Sequence, residues 1–208
     1  ENDNTGNFQS PSFNNLVNTA YTAGARIHTN SWGSKDASQQ GKYTSESEDV
    51  DDRANYYDRY YNGVEGFTIL FAAGNDGPGV STINSPGTAK NSVTVGSHQN
   101  RYSGSPDTVW DSSSRGPTDD DRIKPDIIAP GAYVRSCLSQ EATDTSGGTV
   151  QPGGWYIEYS GTSMATPNAA GSAALIREYI LEIAQRPTPQ GALVKALLVL
   201  GAKDVGTR

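Results

Sequence analysis

The sequence predicts an α/β domain, a doubly wound, mostly parallel sheet flanked by helices. Three observations lead there. Phe67 to Ala73 (FTILFAA) is an uninterrupted apolar run, as expected of a strand covered on both faces. Short apolar runs alternate along the chain with stretches of helical periodicity. The order strand, helix, strand across residues 25–73 asks for a parallel pair joined by a crossover.

Each element has its own warrant. From Ser12 onward, Phe13, Leu16, Val17 and Ala20 recur at helical spacing and Gly24 supplies the stop, which makes an amphipathic helix of about three turns. Residues 25–30, centred on Ile27, suit a strand ending at the polar group Thr29, Asn30 and Ser31. Gly33 to Tyr43 is polar and loop-like. Ser45 or Ser47 then caps a helix whose first turn carries Glu46, Glu48 and Asp49, favoured by the positive end of the helix dipole. Val50, Ala54, Tyr57 and Tyr61 continue its apolar face, and Gly63 ends it. Ser92 to Val95, Asp126 to Ala129 and Trp155 to Tyr159 read as further short strands among turns rich in Gly, Pro and Ser. The last of them runs into Ser160, Gly161, Thr162 and Ser163, where a long helical stretch begins and continues to about Gln185. Thr188 and Pro189 open a final helix with an apolar stripe of Leu193, Ala196, Leu197 and Leu200, closed by Gly201.

Composition narrows the functional classes. The 208 residues fit one domain of ordinary size or most of a larger one, and 16 basic against 23 acidic side chains leave a net charge of −7. Acidity without basic clusters argues against binding to nucleic acid or to an anionic membrane surface. No run of about 18 apolar residues occurs, so no membrane-spanning helix is expected in it. The start, Glu1 to Ser10, has neither the basic region nor the apolar core of a signal peptide and lacks an initiator Met, as a mature or excised segment would. Cys137 is the one cysteine, which excludes an intrachain disulfide and a cysteine-based zinc site. His28 and His98 are the only histidines, so any imidazole chemistry within the chain has two candidates. Neither a glycine-rich dinucleotide fingerprint nor a phosphate-binding loop motif is present, which sets aside a nucleotide-binding reading.

The most informative stretch is GTSMATPNAAG, Gly161 to Gly171. It puts the Ser163 hydroxyl at a strand-to-helix transition, where backbone N–H groups and the helix dipole favour developing negative charge. Acyl transfer needs that arrangement, because the attacked carbonyl becomes an oxyanion that requires fixed donors. Taken alone, Ser163 reads as a helix cap, since capping serines are common and catalytic ones rare.

Other blocks change that balance. GTSMATP at Gly161 to Pro167 resembles the nucleophile motif of the subtilases, the subtilisin-like serine proteases. AAGNDGP at Ala72 to Pro78 is similar to the family segment whose asparagine completes the oxyanion hole. NSWG at Asn30 to Gly33 resembles the strand that pairs with substrate, and SSRGP (Ser113 to Pro117) with KPDIIAPG (Lys124 to Gly131) resembles the segment before the nucleophile. These blocks stand in family order over roughly residues 20 to 205. AGARIHTNSWG and ILFAAGN further resemble the oxidatively stable alkaline protease branch.

The resemblance implies a secreted serine endopeptidase. Ser163 would be the nucleophile, and its own N–H would join the Asn75 side-chain amide in the oxyanion hole. Ser31, Trp32 and Gly33 would offer main-chain groups to an extended peptide or protein substrate. Ala72, Ala73 and Gly74 would form one side of the pocket for the residue before the scissile bond, with room for a bulky apolar group. Read alone, Asn75 is a turn residue and Trp32 a packing residue.

The base and its carboxylate are not found. Subtilases carry them in Asp-Thr/Ser-Gly and His-Gly-Thr contexts, and neither occurs here. His28 and His98 fall in no such context, and Asp76 and Asp126 match none either. Residues 1–208 are therefore expected to be a partial catalytic domain, lacking the N-terminal part with the catalytic Asp and His and lacking the C-terminal end. That missing part is an expected partner, and this chain alone is expected to be inactive. No cofactor is expected for catalysis. The resemblance leaves a structural calcium ion open, with His98 to Asp111 and Thr118 to Asp121 as candidate loops, although these read more simply as solvated acidic loops. The competing reading is a catalytically silent subtilase-like fragment or pseudoenzyme that only binds peptide.

Overall fold

The computed structural model describes residues 12–59 and 66–205. Its first helix, α1 (Phe13–Thr22), starts where the Ser12 hydroxyl accepts the Asn15 N–H and ends before Gly24, which adopts a φ of +96°. Strand β1 (Ile27–Asn30) follows, then α2 (Ser45–Arg59). The cap of α2 is Thr44, not Ser45 or Ser47. Thr44 Oγ1 accepts the Ser47 N–H, Ser45 is already helical, and Ser47 Oγ lies 2.8 Å from Thr88 Oγ1. Tyr61 and Gly63, expected to close this helix, lie outside the described residues.

Strands β2 (Thr68–Ala72), β3 (Val93–His98) and β4 (Ile127–Pro130) complete a parallel sheet in the order β1-β2-β3-β4. Thr29 pairs with Leu70, Leu70 with Val93, and Val95 with Ile127. Every residue of β2 is buried, and its two faces meet different layers. Phe67, Ile69 and Phe71 pack with Val17, Val50, Ala54 and Tyr57 beneath α1 and α2. Leu70 points the other way, into a cluster with Val93, Val95 and Ala129. Alternation of direction without alternation of polarity is why FTILFAA is continuous.

The opposite layer is α3 (Thr162–Glu182) and α4 (Gly191–Gly201). Ala165, Ala169 and Ala173 lie one turn apart on the sheet-facing side of α3 and let it sit close to the strands. The fold is thus the expected α/β arrangement, with helices on both faces of a parallel sheet. Two details differ. Pro189 precedes α4 and does not start it, since the first turn is capped from outside by Asp58 of α2. Asp58 Oδ1 accepts the Gly191 N–H at 2.9 Å and Oδ2 the Ala192 N–H at 3.0 Å, two donors the helix itself cannot satisfy. The strand expected at Trp155 to Tyr159 is β7 (Tyr156–Tyr159), but it belongs to a separate antiparallel sheet with β5 (Val134–Cys137) and β6 (Thr149–Val150), in the order β5-β7-β6. That sheet is largely exposed and is cross-linked by Arg135 and Glu158 at 2.6 Å.

Candidate active site

The C-terminal ends of β1 and β2 open towards the N-terminus of α3, the end of a parallel sheet at which ligand crevices form. Ser163 is the second residue of α3 and is half-buried. Its hydroxyl donates to the Ser31 carbonyl oxygen at 3.3 Å. The return bond runs from Ser31 Oγ to the Ser163 carbonyl at 2.9 Å. Pro167 explains this second bond. An α-helical carbonyl at 163 would normally accept the N–H of residue 167, which proline lacks, and the Ser31 hydroxyl takes its place. The Ser163 N–H, a first-turn donor, has no acceptor among the described residues.

Asn75 faces this turn from the loop after β2. Its Oδ1 accepts the Thr162 N–H at 2.9 Å. Because that partner can only donate, the amide orientation is fixed, and Nδ2 is a donor with no partner among the described residues. The Thr162 hydroxyl, fully buried, accepts the Gly74 N–H at 3.3 Å and sits 3.2 Å from both Gly74 O and Asn75 Oδ1, tying loop to helix. Glycine is required on both sides of the junction. Gly161 has φ +151°, and a Cβ there would stand 3.1 Å from Asn75 Oδ1. Gly74 has φ +108°, and a Cβ would fall 2.6 Å from Asn84 Nδ2.

Past Asn30 the sheet ladder ends, and Trp32 and Gly33 make no backbone–backbone bond among the described residues, so their main-chain groups are available to an added strand. The Trp32 ring packs edge-on against Phe71 at 5.1 Å and donates from Nε1 to Asn30 Oδ1 at 3.2 Å, while 48% of the residue stays exposed. It is a packing residue and a cleft wall at once.

These groups surround a cleft of about 570 Å³ lined by Ser31, Trp32, Gly33, Ala72, Gly74, Asn75 and Ser163, together with Thr162, Lys35, Asp76 and Asn84. Ala73 does not line it. It is fully buried, its N–H donates to Val95 O, and its carbonyl accepts the Asn84 N–H, so its main chain is committed to the fold. Thr162, inside the GTSMATP block, and Asn84 are lining residues that the sequence did not assign to the site. Asn84 sits in STINSPG and reads as a turn. Its amide reaches the cleft because Gly33 and Gly74 lack side chains, as a Cβ on Gly33 would lie 3.3 Å from Asn84 Cβ.

Neither histidine serves Ser163. His28 packs between Phe13 and Phe67, its Nδ1 accepts from Asn30 Nδ2 at 2.9 Å, and burial lowers its pKa despite that bond. It stays neutral at pH 7 in a structural position. The Nδ1 of His98 is held by the Gln99 carbonyl. Asp126 lies at the opposite end of the sheet, paired with Lys124 at 2.7 Å and Lys195 at 3.0 Å. In the candidate calcium loops, Asp107 pairs with Lys203, and Asp120 with Arg122. Among the described residues no three acidic, histidine or cysteine side chains converge on a metal position, so these loops do not fit a carboxylate-rich calcium site.

A serine hydroxyl, a carboxamide donor without a partner among the described residues and an unpaired strand end surround one cleft of an α/β protein, an arrangement suited to acyl transfer. The comparisons agree with that chemistry. The family model described as the subtilase family matches residues 2–207, and the chain belongs to this family. It is 46% identical over 114 residues to serine protease AprX of Bacillus subtilis (strain 168), covering 53% of this chain and 26% of that protein. It is 32% identical over 143 residues to subtilisin E of the same strain, covering 68% of this chain and 30% of the relative. Among solved structures, the self-cleaved protease domain of PatA superposes with a TM-score of 0.64 at 23% identity, covering 92% of this chain and 59% of that one, a likeness of fold. The chain thus spans about a quarter to a third of the length of these two curated relatives.

Proposed function

We propose that the protein is a serine endopeptidase in which Ser163 attacks the peptide carbonyl. The observation that supports this reading is the Asn75–Thr162 bond, which takes up Asn75 Oδ1 and leaves Nδ2 without a partner among the described residues, in the cleft that Ser163 also lines. Asn75 Nδ2 and the Ser163 N–H would hold the oxyanion, the acyl group would transfer to Ser163 Oγ, and water would release it. Substrate would add as a strand alongside Ser31 to Gly33.

The only partner of Ser163 Oγ among the described residues is a carbonyl oxygen, which cannot take its proton in catalysis. We therefore assign the general base and its orienting carboxylate to sequence outside this chain, the histidine and aspartate of the subtilase pattern, and expect the isolated chain to be inactive. Extracellular action fits the family resemblance, and the segments AGARIHTNSWG and ILFAAGN favour the alkaline branch.

A fluorophosphonate probe tests the reading. The full-length protein should label at Ser163 and the isolated chain hardly at all, with Ser163→Ala abolishing the signal. A folded full-length protein that stays unlabelled would leave the silent, peptide-binding module as the correct reading.

A further inference from the structure

One wall of the cleft is tied to a histidine that catalysis does not use. Asn30, the last residue of β1 and 2% exposed, bonds to His28 on one side and to Trp32 on the other. Its Nδ2 lies 2.9 Å from His28 Nδ1 and donates to the Leu70 carbonyl at 3.1 Å. Its Oδ1 accepts the Trp32 indole N–H at 3.2 Å. Leu70 O can only accept and Trp32 Nε1 can only donate, so two partners fix the Asn30 amide independently of the histidine. His28 Nδ1 is therefore an acceptor, and the imidazole is the neutral tautomer with its proton on Nε2. Phe13 of α1 backs both rings, its centroid 6.2 Å from His28 and 6.3 Å from Trp32.

The described neighbours of the imidazole are Phe13, Phe67 and Asn30, none of them charged. The titratable groups on the elements around it are Arg26, just before β1 and stacked at 4.0 Å on Tyr21 of α1, and Tyr57 of α2, whose hydroxyl donates to Asn18 Oδ1. No carboxylate is among them to steady an imidazolium. Burial lowers the His28 pKa from 6.5 against the opposing effect of the Asn30 bond, which puts protonation on the acid side of neutrality.

We propose that protonation of His28 releases Trp32, with Asn30 as the positioning residue and the imidazole as an acid-sensitive latch on the cleft wall. An imidazolium carries N–H on both nitrogens, so Nδ1–H would meet Asn30 Nδ2 donor against donor. Turning the amide over gives the imidazolium an oxygen, but it points Nδ2 at the Trp32 indole and Oδ1 at the Leu70 carbonyl. The charged histidine and the bonded indole exclude each other, so whatever holds Trp32 in place keeps His28 neutral. Once released, Trp32 is 48% exposed and keeps only its ring contacts with Phe13 and Phe71. The latch stands on side-chain geometry, and its consequence for peptide binding rests on the peptidase reading above.

The test uses the full-length protein with isotope-labelled histidine and tryptophan, followed by NMR from neutral pH downward. The Trp32 indole resonance, assigned with Trp32→Phe, should move with the same midpoint as the His28 imidazole, below 6.5. Trp32→Phe frees Asn30 Oδ1 and should raise the His28 midpoint by about half to one pH unit. His28→Gln keeps an acceptor that does not titrate and should hold the indole resonance still. In the Ser163→Ala protein, which cannot turn peptide over, the Kd of an extended peptide should rise by about threefold to tenfold across the midpoint, and adding His28→Gln should remove that rise. An imidazole that titrates while the indole stays put overturns the proposal, and so does a His28 that remains neutral until the protein unfolds in acid. If His28→Gln does not fold, the Trp32→Phe midpoint decides, and an unshifted midpoint overturns the latch. Coupled titration in a protein that no fluorophosphonate labels keeps the latch and removes the peptidase reading, whereas labelling of Ser163 without coupled titration does the reverse.

Discussion

The two ends of the parallel sheet are both polar, but they are polar in opposite ways. At the N-terminal edge of β3 and β4, Asp126 receives Lys124, Lys195 and the Thr94 N–H, the last at 2.7 Å. Each lysine also has further oxygen acceptors, Thr94 Oγ1 for Lys124 and the carbonyls of Lys90 and Ser92 for Lys195. At the C-terminal edge the groups are mostly neutral, and two donors have no partner among the described residues: the Ser163 N–H and Asn75 Nδ2. Closed polar clusters hold a fold together, while open ones wait for a ligand. The buried charges therefore sit at the closed end, while the cleft at the open end is lined by amides and hydroxyls together with Asp76 and Lys35.

Asp126→Ala tests the closed end most severely. It strands two lysine ammonium groups, one of them buried, and should cost about 3–5 kcal/mol of unfolding free energy in urea titration. The molecules that remain folded should still label at Ser163 at the wild-type rate. A lost label in folded protein would mean that the two ends are coupled, which would break the comparison.

Asn75→Ala does the reverse. Removing the carboxamide donor should slow labelling and turnover by about 10²- to 10³-fold, a figure that rests on the corresponding donor of subtilisin itself and is carried over to this relative. Stability should fall only by about 1 kcal/mol, from the Thr162 N–H left without its acceptor. A rate within about threefold of wild type would remove Asn75 from the oxyanion hole.

The closed end also has a pH signature. Burial pushes the Lys124 pKa down to about 8, opposed by Asp126 and reinforced by Lys195. Asp126 moves below its ordinary value because the two lysines outweigh its own burial. Between pH 8 and the ordinary lysine value of 10.5 the unfolded chain holds a proton that the folded one has lost, so stability from this group rises with pH across that window. Below pH 8 both states are protonated, and the fold carries the burial cost. Wild type should gain on Lys124→Met by at most about 1 kcal/mol per pH unit from pH 8 to 10, read from urea unfolding at each pH. A gap that narrows instead would show that the ion pairs outweigh the burial.

How legible this was in the sequence follows from the range of each interaction. The helices and β2 were readable because apolar periodicity and a continuous apolar run are local signals, although the cap of α2 and the start of α4 were misplaced. Strands β5 and β6 were not, since they are short and exposed, owe their pairing to β7 and have no alternation to mark it. Ser163 and Asn75 were readable only through motif resemblance, because the bond joining their segments spans 87 positions. Asn84 could not be read at all. Its role depends on two glycines, Gly33 and Gly74, that the fold brings to either side of it. Ala73 misled for the complementary reason: it shares a motif with Asn75, yet its main chain belongs to the sheet and the loop after it.

The smallest expected effect probes how the open end is held without charge. Pro167 leaves the Ser163 carbonyl without its helical donor, and Ser31 Oγ supplies one from another segment. Ser31→Ala should therefore cost about 0.5–1 kcal/mol in stability, since the carbonyl is exposed enough for water to replace the hydroxyl. The larger consequence concerns position. The hydroxyl of Ser31 is one of two side-chain hydrogen bonds, with that of Ser163, fixing the first turn of α3 to the strand that would carry substrate, so its loss should raise KM for extended peptides more than it lowers kcat. The Ser163 hydroxyl keeps its own acceptor, because Ser31 O is main chain and survives the substitution. If kcat falls and KM does not, Ser31 positions the nucleophile itself, and the open end is then tuned for chemistry as well as for binding.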